Sequence, residues 1–399
     1  MALLKGPLSG MFTDFFNSEK TGGLILLACT VISIFIANSV VAPEYLAFWH
    51  KHLDLSFAGL NLDLSIEHWI NDGLMVIFFL LVGLEIEREI YIGELSNIRN
   101  AILPVAAAIG GMAVPALVHF LFNNGLPTQD GMGIPMATDI AFALGMLSLL
   151  GNRVPLGLKI FLTALAIIDD LGAILVIAIF YTSEISGMYL GLALGIFAML
   201  LVLNRLKVRH LAFYILPGIA MWFCMLQSGV HSTITGVLLA FAIPFSERDD
   251  RTNPSYKIQH FLHKPVAFLI LPLFALANTA LILGEGWFTG LATSNSIGIM
   301  SGLFFGKMIG IFMLSFLMVK LRVGNLPTGV NWGQMLGLSC LAGIGFTMSI
   351  FISNLAFSDA AIIQESKIAV LAGSLISCLV GLLILRLTLQ EQSPVIKRI

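Results

Sequence analysis

Charged side chains are scarce in this chain. Lysine, arginine, aspartate and glutamate together make up 11% of its 399 residues, whereas a soluble globular domain has about 25%. The apolar share is 58% and the mean hydropathy is +0.94. These values exclude an ordinary soluble domain and indicate a polytopic membrane protein. The net charge of −2 gives no basic surface for a nucleic acid partner.

Cysteine is rare as well. The four residues of this type all lie inside apolar runs and have no paired spacing: Cys29, Cys224, Cys340 and Cys378. That pattern argues against a disulfide framework and against a zinc site. We therefore expect small core residues at these positions, and no resident cofactor.

The first twenty residues lack the apolar core and small-residue cleavage pattern of a signal peptide. Apolar residues in this segment recur at helical spacing: Met11, Phe12, Phe15 and Phe16. The spacing predicts an interfacial helix that leads into the first spanning segment. We therefore expect the first span to be retained.

Twelve apolar runs have a length that suits a membrane span. They cover residues 21–41, 67–86, 100–122, 132–150, 156–181, 187–204, 208–226, 229–244, 261–283, 296–319, 333–357 and 363–389. The run at 229–244 is short, which favours a tilted or partial helix. The predicted fold class is an all-α polytopic membrane protein of twelve transmembrane helices, forming one transporter domain over residues 1–399.

Lysine and arginine positions predict the orientation. If the N-terminus is cytoplasmic, these residues gather in the even-numbered turns and at the two termini. Only Lys51 and Lys367 then lie outside, and Lys307 lies within a run. The positive-inside rule therefore predicts that both termini face the cytoplasm.

The first external loop has a pattern of its own. Leucine and phenylalanine alternate with polar or small residues on both sides of Gly59: Leu53, Leu55, Phe57, Leu60, Leu62 and Leu64. This pattern predicts a small extracytoplasmic β-hairpin over residues 52–65 with an exposed edge. The hairpin either lies flat on the protein's own surface or pairs with a second protomer, giving a homodimer.

Two adjacent aspartates, Asp169 and Asp170, lie midway along the apolar run 156–181. A charged carboxylate at that depth costs roughly 2.5–3.5 kcal/mol or more, so the pair is a candidate binding site. Two carboxylates this close titrate as a coupled system. Hard oxygen ligands suit Na⁺ or Li⁺, and the same oxygens bind protons. Competition for one site would give exchange, and replacing two protons by one Na⁺ would make it electrogenic.

Two further spans are interrupted by glycine or proline. Gly131, Gly133 and Pro135 precede Thr138 and Asp139, and Gly343 and Gly345 precede Thr347. An interrupted span in each half predicts inverted repeats with two broken, crossing helices around a transport site. Thr138 or Asp139 would cap the new half-helix.

Asp139 and Lys307 are the other charged groups expected inside the membrane, while Asp72, near the outer end of the second run, is expected at the interface. We expect Asp139 to offset the facing helix N-termini and Lys307 to offset the facing C-termini. Lys307 lies far from both ends of the run 296–319, so we also expect an ion pair with Asp169 or Asp170.

Other classes of protein explain the residues less well. An intramembrane aspartyl protease places its aspartates on different helices, one in a GxGD setting, and no GxGD occurs here. A passive channel gives no reason for a coupled proton site. A proton- or sodium-coupled symporter of a small organic anion would share the broken helices, with Lys307 as weak support for anion binding. It stays the alternative to a cation exchanger, and neither is an enzyme.

Five segments carry a resemblance to a known family: NDGLMVIFFLLVGLEIERE (71–89), ATDIAFALG (137–145), LAIIDDLGAILVIAIFY (165–181), LILPLFALAN (269–278) and LAGIGFTMSIFI (341–352). Together they resemble the bacterial NhaA-type sodium/proton antiporters over nearly the whole chain. The resemblance implies exchange of cytoplasmic Na⁺ or Li⁺ for external H⁺ in the bacterial inner membrane, for sodium and pH homeostasis. It implies that Asp169 and Asp170 bind the cation and protons, that Lys307 pairs with Asp169, and that Asp139 and Thr138 support the site.

The resemblance also implies pH activation through a cytoplasmic cluster. Its members would stand at the end of the second span and the start of the ninth: Glu85, Arg88, Glu89, His260 and His263. Solvated loop charges are the alternative interpretation. Gln259 stands where family members often carry glutamate, which puts the pH-sensing role of that position in doubt. His231 matches a family histidine linked to pH response, although a lone histidine is more often structural.

Overall fold

The computed structural model describes residues 7–56, 62–182, 185–246, 253–284 and 286–389, with side chains from residue 21 onward except that of residue 152. Some residues used for the sequence predictions lie outside this part of the chain. They are the hairpin residues Phe57, Gly59 and Leu60, and five of the basic residues counted for the orientation, in the turn before the ninth run and at the termini: Lys5, Arg248, Arg251, Lys397 and Arg398. Within the described ranges the chain is mostly helical, since a helix satisfies its backbone hydrogen bonds internally in an apolar environment.

The α-helices are α1 Pro7–Ala37, α2 Ala42–His50, α3 Ile66–His68, α4 Met75–Tyr91, α5 Ile98–Asn123, α6 Ile140–Ser148, α7 Leu156–Phe180, α8 Gly187–Arg205, α9 Ala212–Leu226, α10 Ile234–Ala242, α11 Pro254–Pro265, α12 Leu271–Asn278, α13 Trp287–Gly290, α14 Ser294–Ser301, α15 Lys307–Lys320, α16 Trp332–Leu341, α17 Phe346–Ala356 and α18 Ala360–Thr388. Three π-helical segments continue or precede them: Trp69–Leu74, Val266–Ile270 and Gly302–Gly306. Within the described ranges there are also three 3₁₀ segments: Glu94–Ser96, Gln129–Met136 and Gly151–Arg153.

Eight helical stretches of the described chain are long and apolar enough to cross a membrane. The number rises to ten if each of two bent helix pairs counts as one span. Thr21–Ala37 and Ala42–His50 are bent by 116°, and Trp332–Leu341 and Phe346–Ala356 by 44°. The chain is therefore a multi-pass membrane protein, and twelve spans stay a prediction.

Some helix bounds differ from the apolar runs. The N-terminal segment and the first run form one continuous helix, α1. The helical stretch over the ninth run begins at Pro254 and ends at Asn278, because polar residues of α11 extend the helix beyond the apolar part. Lys367, expected outside, is only 7% exposed, inside α18.

A small antiparallel sheet lies within the predicted hairpin segment. Strand β1, His52–Asp54, pairs with strand β2, Asp63–Ser65. The backbone N–H of Ser56 donates to Asp54 Oδ1 at 2.9 Å. Hydrogen bonds from the Ser56 hydroxyl and N–H lower the pKa of the Asp54 carboxyl. The connecting residues 57–61 lie outside the described chain, and the side of the membrane on which the sheet lies stays a prediction.

Contacts between helix ends define two ends of the molecule. We call the end that carries the sheet the hairpin end; there the indole N–H of Trp222 donates to the backbone oxygen of Asp72 at 2.7 Å. At the opposite end, Asn204 Nδ2 donates to the backbone oxygen of Ala242 at 3.0 Å. The rings of Tyr91 and Phe245 also stack there, 5.3 Å apart.

A glycine pair sets the position of α15. A Cβ on Gly110 of α5 would lie 2.2 Å from the backbone oxygen of Gly310. The reverse substitution would bring a Cβ on Gly310 to 2.1 Å from the backbone oxygen of Gly110. Only glycine permits so close a crossing of two helices. The crossing holds Lys307, one turn earlier in α15, beside Gly111 of α5, whose Cβ would lie 3.7 Å from Lys307 Cδ.

Candidate functional site at the crossing of two broken helices

Asp169 and Asp170 lie in the middle of α7 and are buried, with 0% and 2% exposure. One oxygen of Asp169, Oδ2, accepts a hydrogen bond from the Thr138 hydroxyl at 2.7 Å and pairs with the Lys307 ammonium. Oδ1 of each aspartate has no hydrogen-bond partner among the described residues. A buried oxygen without a donor is costly, so each Oδ1 is suited to hold a proton or a cation.

Lys307 is the first residue of α15 and is fully buried. Its ammonium donates to Asp169 Oδ2 and to Thr138 Oγ1, the latter at 2.9 Å. The position of Lys307 in its run is compatible with either aspartate, and the family resemblance implies Asp169; in the structure the ion pair is made with Asp169. The π-helical segment Gly302–Gly306 immediately precedes Lys307, a kind of irregularity that is frequent at functional sites.

Asp139 joins the two broken helices. It is the N-cap of α6: its Oδ1 accepts from the backbone N–H of Phe142 at 2.8 Å. Its Oδ2 accepts from the backbone N–H and the hydroxyl of Thr347, at 3.1 and 2.5 Å. One carboxylate therefore meets the N-terminal ends of both α6 and α17, where helix dipoles favour negative charge. Capping of the half-helix by Thr138 or Asp139 is expected from the sequence, and the structure shows that Asp139 is the cap.

The chain segments before these two half-helices also contact each other. The backbone N–H of Asp139 donates to the backbone oxygen of Ile344 at 2.7 Å. Thr138 Oγ1 lies 2.8 Å from the backbone oxygen of Ala342, just beyond the C-terminal end of α16. Lys307 reaches this helix end through the Thr138 hydroxyl. That Lys307 offsets helix C-termini stays a prediction.

The acidic residues proposed for pH sensing lie near the C-terminal end of α4, away from the hairpin end of the molecule. Glu85 is 6% and Glu89 is 9% exposed. Arg88 Nη2 lies 3.2 Å from Glu89 Oε1, and Glu89 Oε2 accepts the backbone N–H of Glu94 at 3.1 Å. The side chain of Glu85 lies close to that of Gln259. The structure thus brings α4 together with α11 at the position whose pH-sensing role the resemblance puts in doubt.

The two histidines of the proposed cluster differ in their surroundings. His260 is exposed, and its ring stacks on Tyr256 with centroids 6.1 Å apart. His263 is partly buried in the same helix. His231, between α9 and α10, lies with Nε2 2.6 Å from the backbone oxygen of Tyr181, close to the hairpin end. It is therefore not brought together with the cluster on α4.

Sequence reasoning missed two buried charged residues. Glu87 of α4 is 5% exposed and lies 3.5 Å from the Ser255 hydroxyl of α11. Lys367 of α18 lies 3.3 Å from Asn278 Oδ1. Glu87 lies in the charged segment EIERE, where nothing in the sequence separates it from the neighbouring acids. Lys367 lies near the start of its run, where hydropathy does not distinguish a buried lysine from one in the adjacent loop.

The fold and the site together define a class of protein. Two Gly/Pro-interrupted helices cross in the interior, and buried charged groups meet where they cross. Broken helices whose ends face buried ion ligands are the arrangement of a secondary transporter.

Comparison with known proteins agrees with this class and narrows it. The family model described as Na⁺/H⁺ antiporter 1 matches residues 13–385. The chain belongs to this family. Proteins named Na⁺/H⁺ antiporter NhaA are similar over nearly their whole length. The relative from Dechloromonas aromatica is 59% identical, covering 94% of this chain and 95% of the relative. For the relative from Flavobacterium psychrophilum the values are 58%, 96% and 98%, and for that from Cytophaga hutchinsonii 55%, 96% and 96%.

Proposed function

We propose that this protein exchanges cytoplasmic Na⁺ or Li⁺ for external H⁺ across the bacterial inner membrane. The observation that carries the proposal is the buried pair Asp169 and Asp170 beside Lys307 at the crossing. Each aspartate offers one oxygen without a described donor. Family membership supports the choice of ions, since the similar proteins are named Na⁺/H⁺ antiporters.

Proton and cation would compete for Asp169 and Asp170. When the site holds no cation, Lys307 pairs with Asp169 and a proton neutralises Asp170. When Na⁺ enters, both carboxylates become its ligands and Asp170 releases its proton. Lys307 then loses its pairing with Asp169 and releases a second proton, so two protons exchange for one Na⁺. The ion pair in the structure supports this route over one in which both protons sit on carboxylates.

The count has an electrical consequence. Two positive charges move one way for each one that moves the other way, so the cycle is electrogenic and the membrane potential drives it. Thr138 and Asp139 would support the site: Thr138 bridges Lys307 and Asp169, and Asp139 holds the two half-helices in place.

The symporter of an organic anion receives less support. It requires a cationic group that is available to the anion. Lys307, the group considered for that role, is engaged by Asp169 and Thr138.

Further assignments belong to the same proposal. The whole chain, 1–399, would form one transporter domain with twelve spans in the membrane lipid and both termini in the cytoplasm. Residues 52–65 would form an external hairpin that pairs two protomers into a homodimer. Activation by pH would act through Glu85, Arg88, Glu89, His260 and His263, with Gln259 altering the pH profile.

The decisive experiment measures proton movement in inside-out vesicles on addition of Na⁺, Li⁺ or K⁺ at several pH values. Na⁺ and Li⁺ should dissipate the proton gradient and K⁺ should do so little. Asp169→Asn or Asp170→Asn should abolish the response. Asp359→Asn, which changes an exposed aspartate at the start of α18, is the matched control and should respond like the unmodified protein. Full activity of both site variants would refute the assignment.

A further inference from the structure

A second polar cluster lies at the hairpin end, away from the two aspartates. Its centre is Asn278, the last residue of α12, which is 1% exposed. Asn278 Oδ1 accepts from Asn354 Nδ2 at 2.7 Å and from Lys367 Nζ at 3.3 Å. Asn278 Nδ2 donates to Asn71 Oδ1 at 2.8 Å. One side chain therefore connects α12, α17, α18 and the π-helical segment before α4.

Lys367 brings a charge into this cluster. Only 7% of Lys367 is exposed, and its ammonium lies 3.8 Å from Glu67 Oε1. Glu67 in turn lies 3.7 Å from His50 Nδ1. A lysine buried in a spanning helix is costly unless polar groups surround it. Asn278 of α12 and Glu67 of α3 supply these polar groups. Moving α18 away from these two helices would therefore leave the Lys367 ammonium buried without them.

One short helix connects the cluster to the proposed ion site. Thr347, in the first turn of α17, contacts Asp139, and Asn354 follows seven residues later. At 1.5 Å per residue the two are about 10 Å apart along the helix axis. Between them, the ring of Phe351 lies 5.5 Å from that of Phe79. A helix of this length moves as a unit, so a displacement of α17 at the crossing also displaces Asn354.

We propose that Asn278, Asn71, Asn354 and Lys367 form a latch that closes the hairpin end of the ion pathway. This inference rests on the proposed exchange, because an exchanger must open its site to one side at a time. Rocking of one group of helices against another is the general means. In the structure the latch is closed. It opens when α17 and α18 move away from α12 and the segment that carries Asn71. Individual hydrogen bonds are weak enough to break in each cycle.

A reversible cross-link tests whether the latch must open. Asn278→Cys and Asn354→Cys are combined in a chain whose four native cysteines are replaced by serine. A short bis-methanethiosulfonate reagent then joins them. Cross-linked protein should lose the Na⁺/H⁺ exchange that the same double-cysteine protein shows before cross-linking, and should regain it on reduction. In each single-cysteine variant the reagent should leave the exchange rate at that variant's own untreated value. Unchanged exchange by the cross-linked protein would overturn the proposal, and failure of the pair to cross-link would contradict the contact itself.

Accessibility provides a test that needs no ion exchange. Ser353→Cys places a thiol at a fully buried position next to Asn354, and an impermeant thiol reagent is applied from each side of the membrane. Adding Asn278→Ala should speed labelling from the hairpin end about tenfold, since closure loses hydrogen bonds. Asn204→Ala is the matched control, because it removes a hydrogen bond from a side-chain amide at the opposite end of the molecule.

Equal labelling rates in the Asn278→Ala and Asn204→Ala proteins would overturn the latch. If Asn278→Ala fails to fold, Asn354→Ser tests the same bond from its other side. The labelling result is independent of the proposed ions. If Asn278→Ala speeds labelling but the unmodified protein shows no Na⁺/H⁺ exchange, the exchange is refuted and the latch stands. If the unmodified protein exchanges the ions but labelling is not faster, the latch alone is refuted.

Discussion

Replacing Asp139 by asparagine should destabilise the protein by about 2–5 kcal/mol. The carboxylate accepts from Phe142 on one oxygen and from the N–H and hydroxyl of Thr347 on the other. An amide nitrogen cannot accept, so the Thr347 N–H loses its partner, whereas the cap on Phe142 survives. A hydrogen bond to a charged group contributes about 1.5–3 kcal/mol. The lost charge adds about 0.3–1 kcal/mol at each of two helix N-termini.

Thermal unfolding of the purified protein in detergent measures this loss as a fall in Tm. Asp359→Asn is the matched control, because Asp359 also caps a helix but is exposed and meets only one helix end, through the N–H of Ala361 at 2.8 Å. Its Tm should hardly change. If the Asp139→Asn and Asp359→Asn proteins melt at the same temperature, Asp139 does not hold the two half-helices together.

Three other outcomes are expected. Thr138→Val should raise the KM for Na⁺ in the vesicle assay, because the hydroxyl that bridges Lys307 and the aspartate is lost, whereas Thr138→Ser should keep it; equal KM values would contradict the bridge. Ser56→Ala should raise the pKa of the Asp54 carboxyl towards its ordinary value of 3.8, as measured by NMR titration. The Asp54 bonds are complete above that value and are lost as the pH falls through the lowered pKa, so an unchanged titration would contradict their role. Leu55→Glu, at a half-exposed position beside β1, should shift a homodimer to monomers in native mass spectrometry; a persistent dimer would place the interface elsewhere.

The parts of the site that could be predicted from the sequence are residues that do not suit the run around them, such as an acid in an apolar run or a proline in a helical one. Two acids in the middle of an apolar run indicate a buried pair, and both are buried in α7. Glycine and proline in two runs predict breaks, and the structure has the breaks before Ile140 and before Phe346. Such features are local, so a single stretch of sequence reveals them. The functional roles of these residues stay predictions.

Contacts between distant parts of the chain were not predictable. Nothing in the sequence near Asn278 indicates that it meets Asn354 and Lys367, because asparagines near helix ends are common and usually cap them. The bounds of α11 and α12 also escaped the hydropathy pattern, since a polar helix continues into an apolar one without a break at residue 261. Which residues of distant helices pack together depends on the tertiary structure, and the spacing of apolar residues along one helix does not indicate it.

The three π-helical segments of the described chain lie in or next to helices that carry groups proposed to act in transport. Each wide turn contains one residue more than an α-helical turn, so tightening it would rotate one side of the helix by about 100° relative to the other. One such turn contains Asn71, another leads into the helix that ends at Asn278, and the third precedes Lys307. Tightening one of these turns would therefore reorient a group proposed to bind ions or to close the hairpin end, while the helix on either side of the turn stays helical.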